Sequence, residues 1–316
     1  MTTLITGGAG FIGSRLALRL LADGEPVVIL DNFDPYYDPA IKRENIDALG
    51  GTGIVVEGDV RDEAAVEALF AAHPITRVAH LAATSGVRYS VERGRLYADV
   101  NTAGTVTLMD AARKHGVSAF VLGSTSNVYG QTARIPFVED DPAAMPLSPY
   151  PASKRAAELF AHSYHHVFGL NVTVLRFFNV YGPHGRPDMM PLRAIRAILD
   201  GTTIEMYDGG LLERDWTYID DIVDGVVAAL TKPLGYEILN LGYGAPITLK
   251  AFIRIYEQLI GRAAVTRDVP SPPTEPRITY CDNSRARRLL GFAPKVDIET
   301  GLTKTWEWYC ARYGAR

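Results

Sequence analysis

The chain predicts an α/β fold, a doubly wound parallel sheet followed by a smaller α/β C-terminal lobe. Three observations lead there. Short apolar runs alternate with helix-spaced segments through the first 175 residues, the rhythm of a parallel sheet covered on both faces. A glycine-rich turn joins the first run to the first helical segment. Beyond Arg176 the rhythm breaks into prolines and short elements.

Strands are predicted at 2–6, 27–30, 54–57, 77–81, 119–122 and 172–175, each short, apolar and bounded by turn residues. Helices are predicted at 11–22, 62–72, 95–115 and 150–169, with Asp62 as an N-cap. Residues 1–175 form the nucleotide-binding part of this scheme and 176–316 mainly a substrate-binding domain. About 213–240, including a helix at 223–230, is expected to return to the first domain. The segments 31–39 and 270–276 read as irregular.

With 316 residues, 47% of them hydrophobic, the chain can bury a sizeable core. A formal net charge of −4 argues against nucleic acid as a partner. Two distant cysteines, Cys281 and Cys310, fit a reduced cytoplasmic protein. The opening MTTLITGG has neither a basic n-region nor a long apolar stretch, so no signal peptide or membrane span is expected.

Gly7, Gly8, Gly10 and Gly13 stand between the first strand and the first helix. Missing side chains there allow a tight turn, backbone approach to a pyrophosphate and close helix–strand packing. The helix N-terminus adds free N–H groups and partial positive charge. Gly7, Gly10, Phe11, Ile12 and Gly13 are therefore the candidate cradle of a dinucleotide, and the sheet is expected to be Rossmann-type. Asp31 closes the second strand, eighteen positions after Gly13, with Asn32 beside it. A carboxylate there accepts ribose hydroxyls and repels a 2′-phosphate, which favours NAD over NADP. Asp59 and Val60 are candidates for the adenine end, or simply a turn.

Tyr150 and Lys154 are spaced to share one face of a helix whose first turn contains Pro151. A free phenol is a poor base at neutral pH, and a neighbouring ammonium favours its phenolate. Lys154 is expected to supply that charge, making Tyr150 a general base for a substrate hydroxyl. Ser124-Thr125-Ser126-Asn127 follows the fifth strand, at the sheet end where ligands bind in such folds. A hydroxyl there can orient the reacting oxygen.

TGGAGFIG at 6–13, LAA at 81–83, STSNVYG at 124–130 and YPASK at 150–154 resemble the extended short-chain dehydrogenases, over essentially the whole chain. DNFDPYYDP at 31–39, SGVRYS at 85–90, RFFNVYGPHGRPDMM at 176–190 and RDWTYIDDIVDG at 214–225 are most similar to the UDP-glucuronate 4-epimerases. The resemblance implies an isomerase holding NAD through Gly7, Gly10, Gly13, Asp31, Asp59, Asn101, Tyr150 and Lys154, with Leu81, Ala82 and Ala83 in the same set. It implies a catalytic set of Thr125, Tyr150 and Lys154, with Ser126 competing for the hydroxyl role. Asn179 and Arg214 would contact the nucleotide diphosphate, with Arg277 as a further candidate. Many glucuronate epimerases carry threonine where this chain has Asn179.

Asn127 stands where the related decarboxylases typically carry glutamate, and an amide cannot act as a proton-transfer base. That argues against decarboxylation and leaves epimerisation through a transient 4-keto sugar. A glucuronate needs its carboxylate held, and the guanidinium of Arg186 suits this, with Arg88, Thr84 and Ser85 nearby in the substrate set. The competing readings are a UDP-glucose or UDP-N-acetylglucosamine 4-epimerase, and a non-catalytic NAD-sensing protein. A homodimer is expected, paired through 95–115 and 153–168. No metal site is expected from His184, His165 and His166, and Trp306, Trp308 and Tyr309 read as core.

Overall fold

The computed structural model describes residues 1–315. The first part runs β1 (Thr2–Thr6), α1 (Phe11–Ala22), β2 (Val27–Asp31), α2 (Pro39–Asp47), β3 (Ile54–Glu57), α3 (Glu63–Ala72) and β4 (Ile75–His80). Then come α4 (Val87–Ser90), α5 (Gly94–Tyr97), a π-helical turn (Ala98–Ala103), α6 (Gly104–Lys114), β5 (Ala119–Thr125), α7 (Pro149–Phe168) and β6 (Val172–Phe177). The remainder contains β7 (Asn179–Tyr181), α8 (Met190–Asp200), β8 (Thr203–Tyr207), β9 (Glu213–Arg214), β10 (Trp216–Tyr218) and α9 (Ile219–Thr231). It ends with β11 (Tyr236–Leu241), β12 (Ile247–Thr248), α10 (Leu249–Ile260), β13 (Val265–Val269), α11 (Ser284–Leu290) and α12 (Ile298–Tyr313).

Seven strands form one sheet in the order β11-β6-β5-β4-β1-β2-β3, and every pairing is parallel. Adjacent residues of the central strands face opposite sides, and both sides are buried. Ile5, Ile29 and Val121 pack toward α1 and α9, whereas Leu4, Val28 and Phe120 pack toward α3, α6 and α7. Each such aliphatic residue contributes about 1.5–3 kcal/mol by leaving water, which is why these strands read as continuous apolar runs. The strand order turns back between β1 and β4, and a ligand crevice opens at that switch point.

Local chemistry sets the helix ends. Asp62 caps α3 by accepting from the Ala65 N–H at 3.0 Å. Pro149 opens α7, and Gly169 closes it in the left-handed conformation, φ 69°. The helix expected at 95–115 is not regular. Its middle is the π-helical turn, which brings Asn101 into the interior. No strand was expected at 236–241, yet β11 pairs with β6 at the sheet edge, just after α9 has packed against α1. Trp306, Trp308 and Tyr309 lie on α12 against the core of the C-terminal part. Among the described residues no helix is long and apolar enough to cross a membrane.

Candidate active site

A cleft of about 620 Å³ lies over the carboxyl ends of the central strands. Its base is the turn after β1. Gly7 has φ +69°, and a Cβ there would sit 2.7 Å from the Ala82 backbone nitrogen. A Cβ on Gly13 would come within 2.3 Å of the Gly7 carbonyl oxygen. Only bare backbone lets loop, helix and β4 meet so closely. The N-cap of α1 is Gly10, which offers no side chain, so the N–H groups of Phe11, Ile12 and Gly13 have no intrahelical acceptor. They line the cleft.

Asp31 is pinned at the tip of β2. Its carboxylate accepts from the Ala9 N–H at 3.1 Å and the Phe33 N–H at 2.9 Å, with the Lys42 ammonium 3.5 Å away. Asn32 donates to Asp59 at 3.1 Å. Arg61 clasps the same carboxylate and holds its pKa down to about 2. Val60 is buried in the floor beside them.

Leu81, Ala82, Ala83, Thr84 and Ser85 form the wall after β4. Asn101, expected to contact the cofactor, braces this wall from inside the fold. Its side chain is wholly buried and spent on the wall. It accepts from the Thr84 N–H at 2.8 Å and donates to the Thr84 carbonyl and the Ser153 hydroxyl, both at 3.0 Å. Ser153 in turn donates to the Tyr150 carbonyl at 2.7 Å. Asn101 thus ties the wall to the first turn of α7.

Tyr150 sits in that first turn, its ring edge-on to Tyr97 with centroids 6.0 Å apart. Burial pushes its phenol pKa up; the Arg186 charge and the nearby Thr125 hydroxyl act against that rise. Lys154, nearly enclosed, is pushed down to about 8 by burial, with Glu158 opposing. Arg186 thus adds a cation acting on the phenol that the sequence had not paired with it, beside Lys154 one helical turn along α7. Thr125 and Ser126 both line the cleft. Ser124 is committed elsewhere, donating to Glu158 at 2.6 Å, which is clamped by Arg176 at 2.8 and 3.0 Å.

Two carboxylates hold the cations of the substrate side: Asp188, which the sequence offered as a salt-bridge partner of Arg186, and Glu275, which it did not reveal. Arg186 grips Asp188 through Nε at 3.0 Å and Nη2 at 2.7 Å, and its Nη1 donates to Ser85. Tyr36 also donates to Asp188, at 3.1 Å. Glu275 holds Arg214 at 2.9 Å and stands 3.6 Å from Arg88. Asn179, at the start of β7, faces the same space. Arg277 is exposed and lies outside the cleft lining, whereas its neighbour Glu275 is part of it. Tyr36 stood within the quoted DPYYDP segment, and Asp188 within GRPD. Glu275 carried no local signal, because its partners are 61 and 187 residues away in sequence.

The arrangement therefore has an anion-receptive helix end, a ribose-directed carboxylate, a phenol–hydroxyl pair and a guanidinium in one cleft. Residues 3–242 match the model of the NAD dependent epimerase/dehydratase family. The chain belongs to this family. A UDP-glucuronate 4-epimerase of Thermodesulfobacterium geofontis is 42% identical, covering 96% of this chain and 95% of that protein. The crystal structure of a Bacillus cereus UDP-glucuronic acid 4-epimerase with UDP-glucuronic acid and NAD superposes with a TM-score of 0.93 at 34% identity, covering 99% and 100% of the two chains. A Streptomyces venezuelae dTDP-glucose 4,6-dehydratase with NAD and TYD superposes with a TM-score of 0.92 at 31% identity, covering 99% and 98%. The fold of this family is thus shared by enzymes of different reaction, and the side chains in the cleft must discriminate.

Proposed function

We propose that the protein is an NAD-dependent 4-epimerase of UDP-sugars, interconverting UDP-glucuronate and UDP-galacturonate. The observation that carries this reading is the convergence of Tyr150, Thr125 and Arg186 on the cleft whose base is the glycine turn. The turn fits a dinucleotide: Gly10 and Gly13 leave no side chain between the first-turn N–H groups and the cleft, and Asp31 stands where a ribose would lie. Asp59, Val60 and Asn32 would flank the adenine end. When bound, NAD would supply a reversible hydride acceptor for carbon 4 of the sugar.

The protein's own groups do the proton work. Tyr150 removes the proton of the 4-hydroxyl and later returns it to the other epimer. Thr125, rather than Ser126, is assigned as the orienting hydroxyl because Asn127 occupies its Oγ1 lone pairs and leaves its proton for a partner in the cleft. Lys154 completes the set beside the cofactor, one helical turn from Tyr150. Arg214, Arg88 and Asn179, most of them from the C-terminal part, would receive the diphosphate once Glu275 yields its arginines. Thr84 and Ser85 would contact the sugar.

A 4-keto glucuronate is a β-keto acid and loses carbon dioxide when its carboxylate turns out of the carbonyl plane. Arg186 is placed to hold that carboxylate, and Ser85 and Asp188 fix its guanidinium. Asn127 in the cleft cannot take a proton from carbon 5. Both features favour epimerisation over elimination or decarboxylation. The similarity to enzymes named UDP-glucuronate 4-epimerase supports the same choice of sugar.

The reading extends to a homodimer in the cytoplasm. Leu159, Phe160, Val167 and Phe168 of α7 are large apolar residues left exposed, and the two cysteines are unpaired. Sedimentation at micromolar concentration should show twice the 34.5 kDa mass, and a single monomer species would exclude the dimer.

The direct test is to incubate the purified protein with UDP-glucuronate and no added NAD. Chromatography should show UDP-galacturonate without UDP-pentose. Pentose as the main product, or turnover of UDP-glucose alone, would overturn the reading.

A further inference from the structure

Thr125 ends β5 and caps the short 3-10 turn at Ser126–Tyr129. Its Oγ1 accepts two hydrogen bonds from one residue, the backbone N–H of Asn127 at 3.2 Å and the side-chain Nδ2 of Asn127 at 3.1 Å. A hydroxyl has two acceptor lone pairs and one proton. With both lone pairs filled, the Thr125 hydroxyl can only donate to a further partner. Thr125 is buried and lines the same cleft as Tyr150, so the cleft is where a further partner would meet it. We propose that Asn127 is a positioning residue that makes Thr125 a one-way proton donor to the oxygen on carbon 4 of the sugar.

The direction matters chemically. In the ground state the sugar hydroxyl has one proton, and it must point at Tyr150 to be removed. A threonine free to accept would compete for that proton and hold the sugar in an unreactive orientation. A threonine that only donates leaves the proton to Tyr150. After oxidation, the oxygen is a carbonyl that accepts and cannot donate, and the same fixed O–H serves both epimeric orientations of the ketone. No proton moves to or from Thr125, and no bond to it forms or breaks.

The inference rests on the proposed epimerisation, and wild-type turnover of UDP-glucuronate checks that separately. If the wild type does not epimerise, the proposed function fails. If it does and the variants below behave alike, only the role of Asn127 fails. Asn127→Asp is nearly isosteric but replaces the donor amide with an acceptor, so the Thr125 proton turns away from the sugar. We expect kcat to fall on the order of 100-fold, as for loss of one oriented donor at a reacting oxygen. Asn127→Leu removes the donor and adds no acceptor, and the backbone N–H remains; its kcat should fall by no more than about tenfold, with KM little changed. Equal losses for the two variants would overturn the proposal.

A new carboxylate near Tyr150 could also act by charge alone, and a double-mutant cycle separates the two causes. In a Thr125→Ala background, Asn127→Asp should cost no more than about threefold if its effect passes through the threonine. A cost that stays on the order of 100-fold there would overturn the proposal. Bound NAD, measured after release, reports folding of each variant. Should Asn127→Asp not fold, Asn127→Gln against Asn127→Leu decides. The donor-bearing Gln should exceed Leu in kcat at equal KM, and equality defeats the idea.

Discussion

His80 offers the sharpest test of the buried scaffold beneath the site. It is completely enclosed at the end of β4. Thr105 donates its hydroxyl proton to the Asn101 carbonyl at 2.6 Å, so its contact with His80 Nε2 at 2.9 Å requires a proton on Nε2. His80 Nδ1 is then the acceptor for the Thr6 hydroxyl at 2.7 Å, and Thr6 in turn accepts from the Ala82 N–H at 3.3 Å. The neutral ring fills every valence between the strand leading into the glycine turn and the π-helical turn that holds Asn101. Burial accordingly pushes its pKa down to about 3, with the Lys154 charge adding to the effect. The sign follows from linkage. Below pH 6.5 the unfolded chain takes up a proton that the folded chain refuses, so this group makes the protein lose stability as pH falls from 6.5 toward 3. At about 1.4 kcal/mol per pH unit, the loss between pH 6.5 and pH 5 is about 2 kcal/mol. His80→Leu cannot take up that proton in either state. It also strands the buried Thr6 hydroxyl proton, at about 1–3 kcal/mol. Urea unfolding at pH 7 and pH 5 should therefore show the variant less stable at pH 7, yet about 2 kcal/mol less sensitive to acid than the wild type. Equal acid sensitivity in the two proteins would refute the neutral buried network.

Three further outcomes follow from the same geometry. Gly13→Ala places a methyl 2.3 Å from the Gly7 carbonyl and should destabilise by about 3 kcal/mol or more with loss of bound NAD, whereas Gly10→Ala, at 3.2 Å, should stay within about 1 kcal/mol and weaken NAD retention only. Unfolding and cofactor release measure both, and identical behaviour contradicts the packing argument. Arg186→Ala should lower kcat/KM for UDP-glucuronate on the order of 100-fold and let UDP-pentose appear as the freed carboxylate leaves; unchanged, pentose-free turnover would remove Arg186 from the carboxylate site. In NAD-free protein, the folded pKa of Lys154 near 8 lies below its ordinary 10.5, so stability should rise as pH climbs between those values, by about 3 kcal/mol at most. Lys154→Met should lose that rise, as read by unfolding at pH 8 and 10, and a persistent slope would count against it.

What the sequence revealed was mostly local. The glycine turn, the strand before it and the Tyr150–Lys154 pair were readable because each role depends on near neighbours and a fixed period. The central strands were readable because burial on both faces leaves unbroken apolar runs. The π-helical turn was not, since its cause is Asn101 reaching Thr84 and Ser153 across the fold. For the same reason the sequence did not reveal that Asn101 supports the wall. Glu275 and Lys42 gained meaning only from distant partners, Arg214 and Asp31. The strand at Tyr236–Leu241 was hidden by partial exposure of its first half at the sheet edge. Some of the C-terminal part was legible and passed over: α8 and α10 have strongly one-sided apolar faces, and each ends at a left-handed glycine, Gly201 and Gly261.

The proposed catalysis depends most on proton transfer by the phenol of Tyr150. Tyr150→Phe removes one oxygen and leaves the glycine turn, Asp31 and the substrate cations in place. With bound NAD quantified in the same preparation, kcat for UDP-glucuronate should fall by about 10³-fold while NAD content and UDP-glucuronate affinity hold. A variant that keeps kcat within about tenfold of the wild type, cofactor in place, would show that the proton leaves by another route.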